Sequence, residues 1–152
     1  MTKDVLISIQ GLQLISNEVR EAAATDEELD SIRTICSGEY YCRDGTQFVL
    51  YEELAEDYGE PVKNMIKFKD NEFTLTKKGA VNAQMVFWEG KKTITEYFTP
   101  FGSLLIALDT KKIDVEEGED FLNIHIGYGL EANYQFIADC NIKVEIKNRV
   151  GN

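Results

Sequence analysis

The stretch FLNIHIGYGLEANYQFIADCNIKVEIK, Phe121 to Lys147, decides the fold. Leu122, Ile124, Ile126, Tyr128 and Leu130 share one parity. After a short reversal, Tyr134, Phe136, Ala138, Cys140, Ile142, Val144 and Ile146 repeat the pattern. Successive side chains of a strand point to opposite faces, so the alternation predicts two long antiparallel strands with one dry face and one wet face. Strands longer than about 10 residues, against a usual ~5–6, are typical of a sheet that curls into a barrel.

The same period recurs upstream. Asp4 to Ile15 opens with Val5, Ile7 and Ile9 on one face, and Gly11 marks a bulge where Leu12 and Leu14 change side. Residues 16–30 are polar and acidic and predict a mobile connection. Ile32–Cys42 and Thr46–Glu53 flank Asp44-Gly45, the signature of a tight hairpin turn. A loop over 54–61 leads to Val62–Lys69 and Phe73–Thr76, and Val81–Trp88 and Thr93–Thr99 flank Glu89-Gly90. Pro100 and Gly102 turn the chain into Leu104, Ile106 and Leu108, with a short separate piece around Ile113 and Val115. Short strands with turn signals every ~8–12 residues mean an all-β sandwich or barrel. Short connections favour pairing between chain neighbours. The expected fold is one all-β domain over residues 1–152, an antiparallel up-and-down barrel of about eight to ten strands with no open edge. Val5, Ile7, Phe48, Leu50, Ile66, Met85, Phe87, Ile124, Phe136 and Val144 are expected to face inward.

Charge narrows the partners. A net charge of −11 over 152 residues opposes binding to phosphate backbones and anionic membranes. The adjacent basic pairs Lys77-Lys78, Lys91-Lys92 and Lys111-Lys112 fall at or near predicted turns, which they keep soluble. The N-terminal residues lack an apolar signal core, and no stretch approaches the ~18 apolar residues of a membrane helix, so a cytoplasmic location is expected. Cys36, Cys42 and Cys140 are odd in number and widely spaced, which suits reduced core thiols better than a disulfide frame or a zinc site.

Four strings occur in a set order: Asp4-Val5-Leu6-Ile7-Ser8-Ile9-Gln10-Gly11; Ser37-Gly38-Glu39-Tyr40-Tyr41 with Tyr51-Glu52-Glu53; Lys78-Gly79-Ala80-Val81 running to Met85-Val86-Phe87; and Tyr97-Phe98-Thr99-Pro100-Phe101-Gly102. Together they resemble the YwiB-like family, small bacterial proteins of unknown function with a calycin-type, lipocalin-like β-barrel. The resemblance covers nearly the whole chain and implies the barrel, but no catalytic residue. Lys77-Lys78-Gly79 departs from the family's arginine, spacer and glycine, so no arginine-specific role carries over. Classical lipocalins place Gly-x-Trp on the first strand, whereas Trp88 ends a middle strand here. Arg20, Arg33, Arg43 and Arg149 sit near turns, termini or the wet parity, which disfavours a carboxylate cargo of the kind fatty-acid carriers hold.

The candidate chemistry is sparse. His125 is the one histidine, which excludes a multi-histidine metal site, and its parity places it on the outer face. Glu52 and Glu53 point to opposite faces and cannot act together on one bond. One of them faces inward beside Leu50 or Tyr51, and Glu96 raises the same expectation through its parity partners Ile94 and Phe98. An inward carboxylate needs a cation or hydrogen bonds. No catalytic residue, cofactor or metal is expected, and no sequence feature sets an oligomeric state. The expected function is binding of a small apolar or cationic ligand in the barrel, with Tyr51, Glu53, Glu96 and Tyr97 as its polar contacts. The alternative is a fully packed structural or protein-interaction module.

Overall fold

The computed structural model describes residues 1–11, 33–54 and 61–149. Ten strands follow in chain order: β1 (Asp4–Gln10), β2 (Arg33–Arg43), β3 (Thr46–Leu54), β4 (Pro61–Lys69), β5 (Glu72–Gly79), β6 (Ala83–Trp88), β7 (Lys92–Thr99), β8 (Gly102–Glu117), β9 (Phe121–Ala132) and β10 (Gln135–Asn148). Every ladder is antiparallel and joins chain neighbours, and β10 pairs with β1. First and last strands therefore meet, as an up-and-down barrel requires. The strand order ends at β6 and β7, where an isolated bridge between Asn82 and Phe98 stands in for a ladder. The barrel is nearly closed, and this seam is the exception to the expected lack of an open edge. No helix of the described residues is long and apolar enough to cross a membrane.

Layers of side chains fill the interior. Phe68, Phe73 and Phe87 lie opposite one another across β4, β5 and β6. The next layer along the axis is Val49, Ile66, Leu75 and Met85. Phe87 meets Phe73 edge-on at 5.9 Å and Tyr128 of β9 at 5.1 Å, arrangements that aromatic rings favour. This half of the barrel is a packed core.

The β2–β3 hairpin sets the register of the wall. Asp44 and Gly45 have φ of 52° and 80°, the positive pair of a two-residue hairpin turn, and Arg43 pairs with Thr46. That pairing turns Val49 and Tyr51 inward. Phe48 and Leu50, expected inside, are half-buried on the outer face, where Phe48 stacks on Tyr41 at 4.8 Å. Strand β3 carries large apolar residues on both parities, so alternation alone could not choose its face, and a one-residue slip inverts it.

Two bulges account for further differences. The β9–β10 ladder shifts between Phe136 and Ala138, so Phe136 is 64% exposed while Ala138, Cys140, Ile142, Val144 and Ile146 face inward. Tyr134 lies in the turn at positive φ rather than in the strand. The segments around Leu108 and Ile113 form one strand, β8, interrupted by a shift between Thr110 and Lys112. Just beyond it, the Ile113 N–H donates to Glu89 Oε2 at 2.7 Å.

Cys140 is buried and Cys36 half-buried, but Cys42, one pair short of the β2–β3 turn, is exposed and is not a core thiol. Gly11 ends β1 at φ 97°, where an added Cβ would lie 2.3 Å from the Asn141 carbonyl oxygen. The face change at Leu12 and Leu14, the connection over 16–30 and most of the loop over 54–61 lie outside the described residues.

Candidate functional site

One layer beyond Val49, Ile66, Leu75 and Met85, the interior turns polar. Cross-strand pairing places Gly38, Tyr51, Asn64, Lys77 and Ala83 side by side on β2 to β6. Asn64 and Lys77 are 2% and 6% exposed, although each falls on the parity of apolar neighbours such as Ile66 and Leu75. Glu53 lies two residues beyond Tyr51 on the same strand face. Lys77 Nζ donates to Glu53 Oε1 and, at 2.9 Å, to Asn64 Oδ1. Asn64 Nδ2 in turn donates to Glu53 Oε1 at 3.1 Å and to the Val62 carbonyl at 3.2 Å. The buried ammonium is thus paired and hydrogen-bonded, the condition under which an interior charge is tolerated.

Glycine at position 38 makes the layer fit. A Cβ there would sit 2.5 Å from Ile7 Cδ1 and 2.6 Å from the Leu50 carbonyl oxygen. Its absence lets Ile7 and Tyr51 close over β2.

Burial, with smaller contributions from Glu53, Cys36 and Tyr97, pushes the Tyr51 hydroxyl well above the ordinary tyrosine value. Burial and then Glu53 raise the Cys36 thiol in the same way. Tyr51, Glu53, Cys36 and Tyr97 therefore form one electrostatic cluster. Among the described residues the Tyr51 hydroxyl has no hydrogen-bond partner, although the side chain is 6% exposed. Thr110 Oγ1 is the one wholly enclosed side-chain oxygen without a partner among the described residues.

Of the four residues expected to form a ligand contact, the structure brings together Tyr51, Glu53 and Tyr97, which is 4% exposed. Glu96 is elsewhere. It is exposed on the outer face with Ile94 and Phe98, which are 61% and 49% exposed. The inward parity of β7 belongs to Thr93, Thr95 and Tyr97. The Thr93 hydroxyl donates to the Val86 carbonyl across the seam, which explains why a polar side chain occupies the inner face. Alternation by hydropathy inverts this strand.

Lys77 and Asn64 escaped the sequence reading. Ending β5 at Thr76 made Lys77-Lys78-Gly79 look like a solubilised turn. The signal was the run Phe73, Leu75, Lys77 on one parity, matched by Val62, Asn64, Ile66 on β4. His125 lies on the outer face, with Nε2 3.2 Å from Asn141 Oδ1. No three His, Cys, Asp or Glu side chains among the described residues are grouped to hold a metal ion.

A ten-stranded antiparallel meander with one packed half and one polar layer defines an up-and-down β-barrel protein. Its fold is that of the crystal structure of the ywiB protein from Bacillus subtilis, with a TM-score of 0.75 over 97% of this chain and 93% of that one, at 21% identity. In sequence it is 28% identical over 116 residues to the uncharacterized beta-barrel protein YwiB of Bacillus subtilis (strain 168), covering 76% of this chain and 80% of that protein. The model of the domain of unknown function DUF1934 matches residues 16–144, and the chain belongs to that family.

Proposed function

We propose that the protein is a small-molecule-binding barrel that holds an amphipathic ligand at its polar layer, with the ligand's head group against Tyr51, Glu53 and Tyr97. One observation carries this function above others: Tyr51 is buried, yet among the described residues its hydroxyl has no hydrogen-bond partner. Buried polar groups are nearly always hydrogen-bonded, so an exception points to something that completes it. Lys77 already neutralises Glu53, which leaves the layer without net charge. A head that donates a hydrogen bond, neutral or cationic, suits Tyr51 and the carboxylate, and the charge of −11 attracts cations over a longer range. Val62, Val81 and Leu104 flank the layer and would meet the apolar body. The ligand would be met in the cytoplasm, where the three cysteines stay reduced.

A packed interaction module is the second function to weigh. It is favoured by the edge-to-face chain of Phe73, Phe87 and Tyr128, which fills the other half of the barrel. Exposed Ile94, Phe98, Phe101 and Phe136 would then form its apolar contact surface.

Native mass spectrometry of the protein purified from its own cells separates the two. A small-molecule adduct that is lost in Tyr51→Phe and Glu53→Gln is the expected result. A bare protein mass in every preparation would favour the interaction module.

A further inference from the structure

The wall of the barrel is open in one place. Asn82 and Phe98 exchange backbone bonds across the seam, N–H to carbonyl at 3.0 Å and 2.9 Å. Backbone groups alternate direction along a strand, so even-numbered residues of β6 and β7 face the seam. Continuing the register would pair Gln84 with Glu96 and Val86 with Ile94, yet no ladder joins them. Below, the Lys91 N–H closes the turn onto the Trp88 carbonyl at 2.9 Å. The seam is therefore shut at both ends and unzipped between.

Two devices hold it so. Inward threonines take the carbonyls that a ladder would use: Thr93 donates to Val86, and Thr95 approaches the Glu96 carbonyl at 3.4 Å. Strand β8 meanwhile binds the turn, with Gly90 N–H to the Thr110 carbonyl at 2.9 Å and Thr110 N–H to the Lys91 carbonyl at 3.1 Å. Unpaired strand edges are a liability that proteins usually cover, so a slit maintained by side chains calls for a use.

An open groove of about 660 Å³ lies over the slit, lined by outward Gln84, Glu96 and Phe98 together with inward Lys77, Ala83 and Thr95. Residues of both faces line a groove only where it enters the wall. Ala83 is next to Lys77 in the polar layer, and the bridge register sets it against Tyr97 across the slit. The smallest side chain of the layer apart from Gly38 thus stands at its break.

We propose that this slit is a side entrance to the polar layer, admitting a narrow single-chain molecule with an uncharged hydrogen-bonding head. It rests on the ligand-binding function above. The lip carries one charge of each sign, Lys78 and Glu96, and so selects neither cation nor anion. Inside, Glu53 and Lys77 are already paired. A fatty alcohol fits both conditions.

The test zips the slit. In a background with Cys36, Cys42 and Cys140 replaced by alanine, Gln84→Cys and Glu96→Cys are introduced together, both on the outer face. Entry of dodecanol carrying a fluorescent tag at its tail end is followed by stopped flow. Oxidation should slow entry about tenfold or more, and reductant should restore it. Hydrogen exchange in the unmodified protein gives an independent reading. The Val86 and Glu96 amides should exchange far faster than the Ile66 amide, and core-like protection there would overturn the proposal even if the disulfide does not form. Normal binding at an unchanged rate after oxidation defeats the entrance alone. Failure of the tagged alcohol to bind the unmodified protein, with no displacement by 1-decanol, defeats the ligand-binding function itself.

Discussion

Lys77 of β5 and Glu53 of β3 meet over the intervening strand, the ammonium on carboxylate Oε1, with Asn64 of β4 bonded to both. The two partners are unequally buried, at 6% and 25% side-chain exposure. Removing the acid strands an ammonium in the wall, whereas removing the lysine leaves a carboxylate that water still reaches. Breaking a buried pair costs about 3–5 kcal/mol, and partial hydration lowers that figure. Glu53→Gln should destabilise by about 2–3 kcal/mol and Lys77→Met by about 1 kcal/mol, with the double variant losing less than the sum. Urea denaturation of the three variants measures this. Equal single losses that simply add would mean the pair is not coupled.

Tyr51 gives an alkaline signature. Its folded-state value is raised well above that of an unfolded tyrosine, so above about pH 10 the unfolded chain ionises where the folded one does not. Its contribution is fully present below the unfolded value and is lost as pH rises toward the folded one. Stability should fall more steeply with alkali in the wild type than in Tyr51→Phe. Absorbance at the tyrosinate band should show a component titrating well above an unfolded tyrosine that is missing from Tyr51→Phe. Identical alkaline profiles for the two proteins would place Tyr51 in a hydrated setting.

Gly38→Ala puts a methyl group into a space bounded by Ile7 Cδ1 at 2.5 Å and a backbone oxygen at 2.6 Å. The isoleucine tip can rotate, but the carbonyl cannot move without shifting β3. A loss of about 2–3 kcal/mol is expected, in the upper range for overpacking. Thermal unfolding checks it, and a neutral result would mean β2 and β3 sit further apart at this point.

His125→Ala should change stability by less than ~0.5 kcal/mol, because the ring sits on the outer face. Denaturant midpoints read this directly. A loss above 1.5 kcal/mol would give the Asn141 contact a weight that its geometry does not suggest.

Much of this barrel is legible in the sequence wherever one face is apolar and the other polar. Strand β9 and the stretch of β10 beyond Ala138 follow their alternation residue for residue. Strand β3 does not, since Phe48 and Leu50 compete with Val49 and Tyr51, and the turn at Asp44-Gly45 decides between them. Strand β7 is inverted, with threonines inside because they cap seam carbonyls that no hydropathy pattern records. At the polar layer, Tyr51, Glu53 and Tyr97 are suggested by residue type alone, because alternation cannot choose the face of β3 and inverts β7. The partner of Glu53 is not, because Lys77 lies 24 residues downstream and its contact depends on two hairpin registers at once.

The occupancy of the polar layer is tested most directly by solution NMR on protein carrying isotope-labelled tyrosine rings, titrated with 1-decanol. Saturable shifts of the Tyr51 and Tyr97 rings, with exposed Tyr41 and Tyr134 unmoved, are the predicted result. Shifts confined to the exposed rings, or none at any tyrosine, would contradict ligand binding at this layer and leave the packed interaction module as the better account.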